Sequence, residues 1–354
     1  MTSRWPSIVL LRTEASTVIG FGHLSRCLTL AAAFRKQQVA CVMALSRESS
    51  DAAESLDRNI DVRILDVEPA SAHDAEATAR LATTLGTSAV IADHYGFREN
   101  WLRRIQGSAL RCAYVDDFAT GRYDCAAVLN HNVYADGILL NAPAACIQLL
   151  GPAYALVRAS FVAARERRSA ERLLEVPERI LVTLGGSDAT GTTQQMLSWL
   201  SKAGLGALPP MHVKVVLGPA FQSIDEVRDL ASLPSAHHVE IVTGISDLSG
   251  LCEWADLVIT AAGVTCLEVA CVGVPMLAVC LADNQRKTAE GVVQRGMALN
   301  LGEHNVLTEE TFLQSVAALR RDAGARRSMV RAQHIIVDGR GPQRAASGLA
   351  AAFV

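Results

Sequence analysis

Short apolar and β-branched runs alternate with longer stretches of helical period through most of the chain, the pattern of βαβ units around parallel sheets. In the first half, Ser7–Leu11, Val39–Leu45, Val62–Leu65, Ala89–Ala92 and Cys112–Val115 predict strands, with Val128–Asn130 a shorter candidate, and helices fall near 23–36, 48–58, 73–85 and 99–106. A second series predicts strands at Arg179–Leu184, Val213–Leu217, Val239–Val242, Leu257–Thr260 and Met276–Val279, with helices near 190–202, 222–232, 247–253, 264–272 and 285–295. From Glu309 the chain reads as helical to its end, broken at Gly339-Arg-Gly-Pro342. Between the two series, the charged stretch from Ala163 closes on Pro177, as a connector would.

At 354 residues the chain is about twice the size of an ordinary domain. The expected organisation is an N-terminal Rossmann-like domain over 1–160, a linker over 161–178, a C-terminal Rossmann-like domain over 179–325, and a helical tail over 326–354 that packs on the first domain. Two doubly wound α/β domains with a cleft between them are the simplest reading.

Composition narrows the function. Hydrophobic residues at 50% and charged residues at 19%, with mean hydropathy +0.22, exclude a disordered chain or a coiled coil. A net charge of −3 with both signs mixed along the chain offers no footprint for nucleic acid. Nine cysteines, none in a C-x-x-C spacing, read as buried reduced thiols. With no apolar span of about 20 residues and no signal-like N-terminus, a cytoplasmic protein without a membrane span is expected.

The chemistry then lies in the loops after the strands. Arg12 opens a segment running through Gly20, Phe21, Gly22 and His23 into an apolar helix, where glycines admit a ligand and a helix start favours a neutral imidazole. Ser25 stands where a dinucleotide fingerprint has its third glycine, which argues against a dinucleotide. His23 reads either as a general base or as a helix-start residue, and Arg26 either as an anion contact or as a solvated one. Asp93-His-Tyr95, Asp116-Asp117 and Asn130-His-Asn132 follow three further strands, each as a polar cluster on one rim or as caps and turns.

In the second half, Gly185-Gly186-Ser187-Asp188 can cradle a phosphate, without the lysine of a P-loop. Gly263, Val264 and Thr265 open another helix and can bind a diphosphate. One turn on, Glu268 either accepts from ribose hydroxyls or is a carboxylate favoured by the helix dipole. Asn284 and Gln285 close the next strand. No spacing indicates covalent catalysis, a metal or a cofactor.

Ile19-Gly-Phe-Gly-His-Leu-Ser-Arg26, Asp93-His-Tyr-Gly96, Asp116-Asp117, Leu129-Asn-His-Asn-Val-Tyr-Ala135 and Gly151-Pro-Ala-Tyr-Ala-Leu-Val-Arg158 closely resemble, in order, the motifs of the UDP-sugar hydrolases of pseudaminic acid biosynthesis. Gly185–Asp188 and the 261–285 block resemble the nucleotide half of that family, and the resemblance runs from about 10 to 302. It implies a GT-B fold like that of MurG-type glycosyltransferases. The implied reaction is release of UDP from UDP-2,4-diacetamido-2,4,6-trideoxy-β-L-altropyranose by water, with inversion and without a metal.

By the same resemblance, His23 is the base, and Arg12, Gly22, Tyr95, Asn130, Asn132 and Tyr154 hold the sugar. Gly186, Ser187, Gly263, Val264, Thr265, Glu268, Asn284 and Gln285 hold UDP. The partners implied are a UDP-sugar and water; a monomer is the expectation. Two departures stand out: Glu14 where the family commonly has Asp, and Ala262 where it commonly has glycine. A UDP-sugar glycosyltransferase, a hydrolysing UDP-sugar 2-epimerase and a non-catalytic UDP-sugar binding module are the alternatives.

Overall fold

The computed structural model describes residues 5–16, 21–51, 60–186, 188–202 and 208–354. The chain divides into two units, Met1–Leu156 with Arg340–Val354, and Val157–Gly339.

Among the described residues, the first unit holds β1 (Ile8–Thr13), β2 (Ala40–Ser46), β3 (Asp61–Leu65), β4 (Ala89–Asp93), β5 (Arg111–Val115), β6 (Ala127–Asn130) and β7 (Ile147–Leu150). They form one sheet in the order β3-β2-β1-β4-β5-β6-β7, every pair parallel. A parallel sheet must be covered on both faces, so its central strands are apolar without alternation, and β4 is buried throughout. On one face Val9, Leu11 and Ile91 pack with Leu30 and Phe34 of the helix Gly22–Lys36 and with Leu349 and Phe353 from the chain's end. On the other, Leu10 and Val90 meet Ala75 and Ala82 of the helix Ala72–Thr84 and Trp101 and Ile105 of the helix Glu99–Gly107.

The second unit holds β8 (Arg179–Thr183), β9 (His212–Leu217), β10 (His238–Thr243), β11 (Leu257–Ala261), β12 (Met276–Cys280) and β13 (Leu299–Glu303), again all parallel, ordered β10-β9-β8-β11-β12-β13. Both sheets share one topological property. The winding direction reverses between β1 and β4 in the first and between β8 and β11 in the second, and ligands of open α/β sheets sit at the carboxyl end of such a reversal.

Several sequence expectations need revision. The strands β7 and β13, both at sheet edges, escape the hydrophobic pattern because each is short and polar-interrupted (IQLL and LNLGE). Of the helix expected at 48–58, Arg47–Ser49 forms a 3₁₀ turn, Ser50 and Asp51 are helical, and 52–59 lie outside the described residues. The segment 161–178 is no free linker. It contains the helix Ala159–Arg167, and its later carbonyls are bound: those of Leu173 and Glu175 accept from Arg326, and that of Pro177 from Arg320, both arginines buried.

Nor is 326–354 a single tail. Asp322 ends the helix Glu309–Arg321 and caps the helix Ala323–Ile336 by accepting from the Ala325 N–H at 2.8 Å, and both helices belong to the second unit. The helix Gly341–Ala352 belongs to the first unit, where Gly341 approaches the Ala155 backbone so closely that a Cβ would overlap it. Among the described residues, no helix is long and apolar enough to cross a membrane.

Candidate functional site

In the first unit, the reversal between β1 and β4 is filled by a buried charge network. His23 is the second residue of the helix after β1, and the Asp93 carboxylate ends β4; both are buried. His23 Nδ1 lies 2.6 Å from Asp93 Oδ1. A carboxylate only accepts, so in this shorter contact Nδ1 donates and Nε2 is the lone-pair nitrogen of the neutral ring; an Arg26 terminal nitrogen, which can only donate, also lies 3.0 Å from Nδ1. Nε2 is itself buried and, among the described residues, has no hydrogen-bond partner. The Tyr95 ring stands edge-on to the imidazole, with centroids 4.4 Å apart, and is itself 40% exposed.

Arg26, one turn after His23, locks this arrangement. Its Nε and one terminal nitrogen donate to Asp93 at 2.5 and 2.6 Å, and the other donates to Asp117 at 2.7 Å. Burial alone would raise both carboxyls. The Arg26 cation outweighs it, holding Asp93 below its ordinary value and Asp117 at about 2. Burial, with Asp117 nearby, pushes the Tyr95 phenol up to about 12, so Tyr95 presents a neutral hydroxyl. Arg26 is therefore neither a solvated helix residue nor a free anion contact.

The residues expected on the sugar fall into two groups. Gly22 and Tyr95 are exposed, and a Cβ at Gly22 would meet nothing within 4 Å. Asn132 is nearly buried and reaches Asp117 Oδ1 at 3.4 Å. Arg12 and Asn130, by contrast, are fully buried and spent on the protein. Arg12 donates to both oxygens of Asp74 at 2.8 and 3.0 Å, pairs with Glu14 and lies over the Phe97 ring, which corrects its assignment from ligand contact to scaffold. Asn130 donates to Asp116 at 3.0 Å, and its oxygen accepts from the Asn132 backbone. Tyr154 is half-buried: it packs on the core beside the helix Gly341–Ala352 and lines a surface cavity with Arg340 and Gln343. The longer arm of Glu14 has a structural use, accepting from Ser46 Oγ at 2.7 Å.

In the second unit the reversal between β8 and β11 is built from backbone. Gly185, at φ 96°, and Gly186 follow β8 and are exposed. Gly218, just after β9, lies so near that a Cβ there would overlap the Gly186 backbone, and the Ala220 N–H donates to the Gly186 carbonyl at 3.0 Å. Ser187 lies outside the described residues. The phosphate cradle expected here is partly occupied by the protein itself: the Asp188 carboxylate accepts from the N–H groups of Thr192 and Thr193 at 3.3 and 2.6 Å, capping the helix Thr192–Lys202.

Across the reversal, Gly263 and the exposed Val264 lead into the helix Thr265–Val272, whose start has no side-chain cap; the Cys266 and Leu267 N–H groups turn back to the Gly263 and Val264 carbonyls, which leaves those of Val264 and Thr265 for an anion. Glu268, in its first turn, is almost buried, and its Oε1 accepts from Arg158 Nε at 2.9 Å. Burial raises the Glu268 carboxyl, and the Arg158 cation opposes that shift. Arg158 also donates to the Ser246 carbonyl at 2.8 Å. This partner of Glu268 escapes any reading by loop motif, since 110 residues separate the two. After β12, Asn284 is exposed, while Gln285 turns inward and accepts from the Leu281 N–H at 3.0 Å.

With this geometry established, comparison with known proteins places the fold. Residues 179–339 match the family described as "Glycosyltransferase family 28 C-terminal domain". The chain is 28% identical over 191 residues to the spore coat polysaccharide biosynthesis protein SpsG of Bacillus subtilis (strain 168), covering 54% of this chain and only 54% of that protein's length. It is 23% identical over 296 residues to the UDP-2,4-diacetamido-2,4,6-trideoxy-beta-L-altropyranose hydrolase of Campylobacter jejuni subsp. jejuni serotype O:2, covering 81% of this chain and 97% of the other. Among solved structures, MurG of Acinetobacter baumannii superposes with a TM-score of 0.67 at 17% identity, over 97% of this chain and 99% of that one. The two parallel-sheet α/β units of this chain are those of the GT-B glycosyltransferase fold.

Proposed function

We propose that this chain is a UDP-sugar hydrolase that releases UDP from UDP-2,4-diacetamido-2,4,6-trideoxy-β-L-altropyranose. Water attacks the anomeric carbon from the face opposite the diphosphate, the C–O bond to UDP breaks, and the configuration inverts. The observation that carries this reading is the His23–Asp93 pair, whose carboxylate fixes the Nδ1–H tautomer and turns an otherwise unpartnered Nε2 into a base. Nε2 takes the proton of the attacking water, and Asp93, kept ionised by Arg26, stabilises the imidazolium that results.

Tyr95, standing over the imidazole, is the side chain that a substrate must displace or pack against to reach Nε2. In the second unit, the exposed Gly186 backbone and the uncapped start of the helix Thr265–Val272 take the diphosphate, and the second carboxylate oxygen of Glu268 takes the ribose. Similarity over nearly the whole length of the Campylobacter hydrolase supports the choice of donor.

The match to the family 28 glycosyltransferase domain favours a second reading, in which Nε2 deprotonates the hydroxyl of a sugar or lipid acceptor instead of water. One assay separates the two: UDP release by the purified protein from the diacetamido-altrose donor and from UDP-N-acetylglucosamine, with and without acceptor. Acceptor-independent release from the first donor, lost in His23→Ala, is expected. Release that requires an acceptor selects the transferase, and no release from either donor overturns both.

A further inference from the structure

Three of the nine cysteines gather at the end of the seven-stranded sheet away from His23. Cys112 lies near the start of β5, Cys125 two residues before β6, and Cys146 immediately before β7, the edge strand. All three belong to one buried cluster on a single face of the sheet. β6 and β7 are hydrogen-bonded neighbours there: Ala127 is opposite Ile147, and the Ile147 N–H donates to the Ala126 carbonyl at 3.0 Å. That register sets Cys146 opposite Ala126, one residue from Cys125; a strand spacing of about 4.8 Å and a rise of about 3.3 Å per residue put their Cα atoms about 6 Å apart, inside the span of about 4.4–6.8 Å that a disulfide accommodates.

Cys125 Sγ donates to the Ala127 carbonyl at 3.2 Å and Cys146 Sγ to the Ile147 carbonyl at 3.8 Å; interaction between the two thiols lowers Cys146 from the ordinary thiol value and, with burial, raises Cys125. Cys252 and Cys266, buried elsewhere, are both pushed up to about 12, mainly by desolvation. Access distinguishes the pair as well. Cys125 and Cys146, both buried, line one surface cavity whose walls carry charges of both signs, Arg103, Arg111 and Asp124, and this cavity is the path by which a small reagent reaches the pair.

We propose that Cys125 and Cys146 are an oxidisable dithiol that closes into a reversible disulfide between β6 and the edge strand β7. The oxidant is a low-molecular-weight disulfide of the glutathione type. The Cys146 thiolate attacks one of its sulfurs and expels the first small thiol; Cys125, losing its proton, attacks the Cys146 sulfur of the mixed disulfide and expels the second. The protein gives up two electrons and two protons, and the reagent becomes two thiols. The bond would tie together the two strands that, at their other ends, present Asn130 and the Gly151–Tyr154 turn. This inference is independent of the UDP-sugar reading.

The test uses the full-length protein, incubated with glutathione disulfide, alkylated, and examined by thiol titration in denaturant and by peptide mapping. Free thiols are expected to fall from nine to seven, with the Cys125 and Cys146 peptides joined and dithiothreitol restoring the original count. Cys112→Ser should keep the cross-link, while Cys125→Ser should stop at a glutathione adduct on Cys146. A wild-type protein that retains all its thiols, that carries only the adduct, or that cross-links another pair overturns the proposal, as does a cross-link surviving in Cys146→Ser.

Discussion

The two sheets reverse their winding at equivalent places and fill those places with opposite materials. Between β1 and β4 stand His23, Arg26, Asp93 and Asp117, charged or titratable groups almost wholly removed from water. Between β8 and β11 stand Gly185, Gly186 and Gly263 in exposed or half-exposed turns, with two carboxylates beside them, Asp188 spent on capping a helix and Glu268 held from the side by Arg158. A buried network fixes a proton and an orientation, because low dielectric makes each of its hydrogen bonds strong and each broken one costly. Glycine turns instead supply space and N–H groups. The same topology thus yields a place suited to proton transfer and one suited to anion binding, and loop composition alone decides which.

Substitutions that respect only one side of this contrast sharpen it. Arg26→Met should have the largest effect on the fold, lowering stability by about 3–5 kcal/mol in urea unfolding because two buried carboxylates lose their cation; a change below 1 kcal/mol would mean the network is not a structural unit. His23→Ala should lower kcat by about 10²–10⁴ with UDP affinity unchanged, and an unaltered kcat would remove the base from the first unit.

His131 makes the contrast pH-dependent. Burial, then the nearby Arg26 charge, lowers it from 6.5 to about 4, so the unfolded chain binds the extra proton between those values. Its contribution is present above pH 6.5 and lost as pH falls through 4, on the order of 3 kcal/mol. Thermal melts of His131→Gln should show a shallower acid decline than the wild type.

On the binding side the effects are smaller. Glu268→Ala should weaken UDP binding about tenfold by calorimetry, and unaltered affinity would withdraw its ribose contact. Gly186→Ala is the finest probe: a Cβ there meets nothing within 4 Å, so stability should stay within about 0.5 kcal/mol while UDP affinity drops. Loss of stability without loss of affinity would invert the assignment of that turn.

What the sequence discloses follows from how local each signal is. The central strands and the helix bearing His23 are legible because burial on both faces leaves uninterrupted apolar runs, and glycine before a helix is a local mark. Arg12 reads differently in the sequence because its partner, Asp74, lies 62 residues away on the helix Ala72–Thr84, so a charge near the end of a strand resembles a ligand contact. Asn130 is misjudged for a related reason: a strand-end amide points to a rim, yet Asp116 from the neighbouring strand end claims it. Arg26 and Asp93 stand in recognisable clusters, but their mutual clamp depends on β1 and β4 being spatial neighbours, which is a property of winding and not of spacing.

The helix Gly341–Ala352 carries a last consequence. It supplies Ala345, Leu349 and Phe353 to the core of a unit whose other residues end at Leu156. During synthesis the first unit to emerge is therefore the last to be finished. Its sheet must wait, with the face that Leu30 and Phe34 share with this helix only partly covered, while the second unit is made. Loss of the helix Gly341–Ala352 would damage the part of the protein that was translated first.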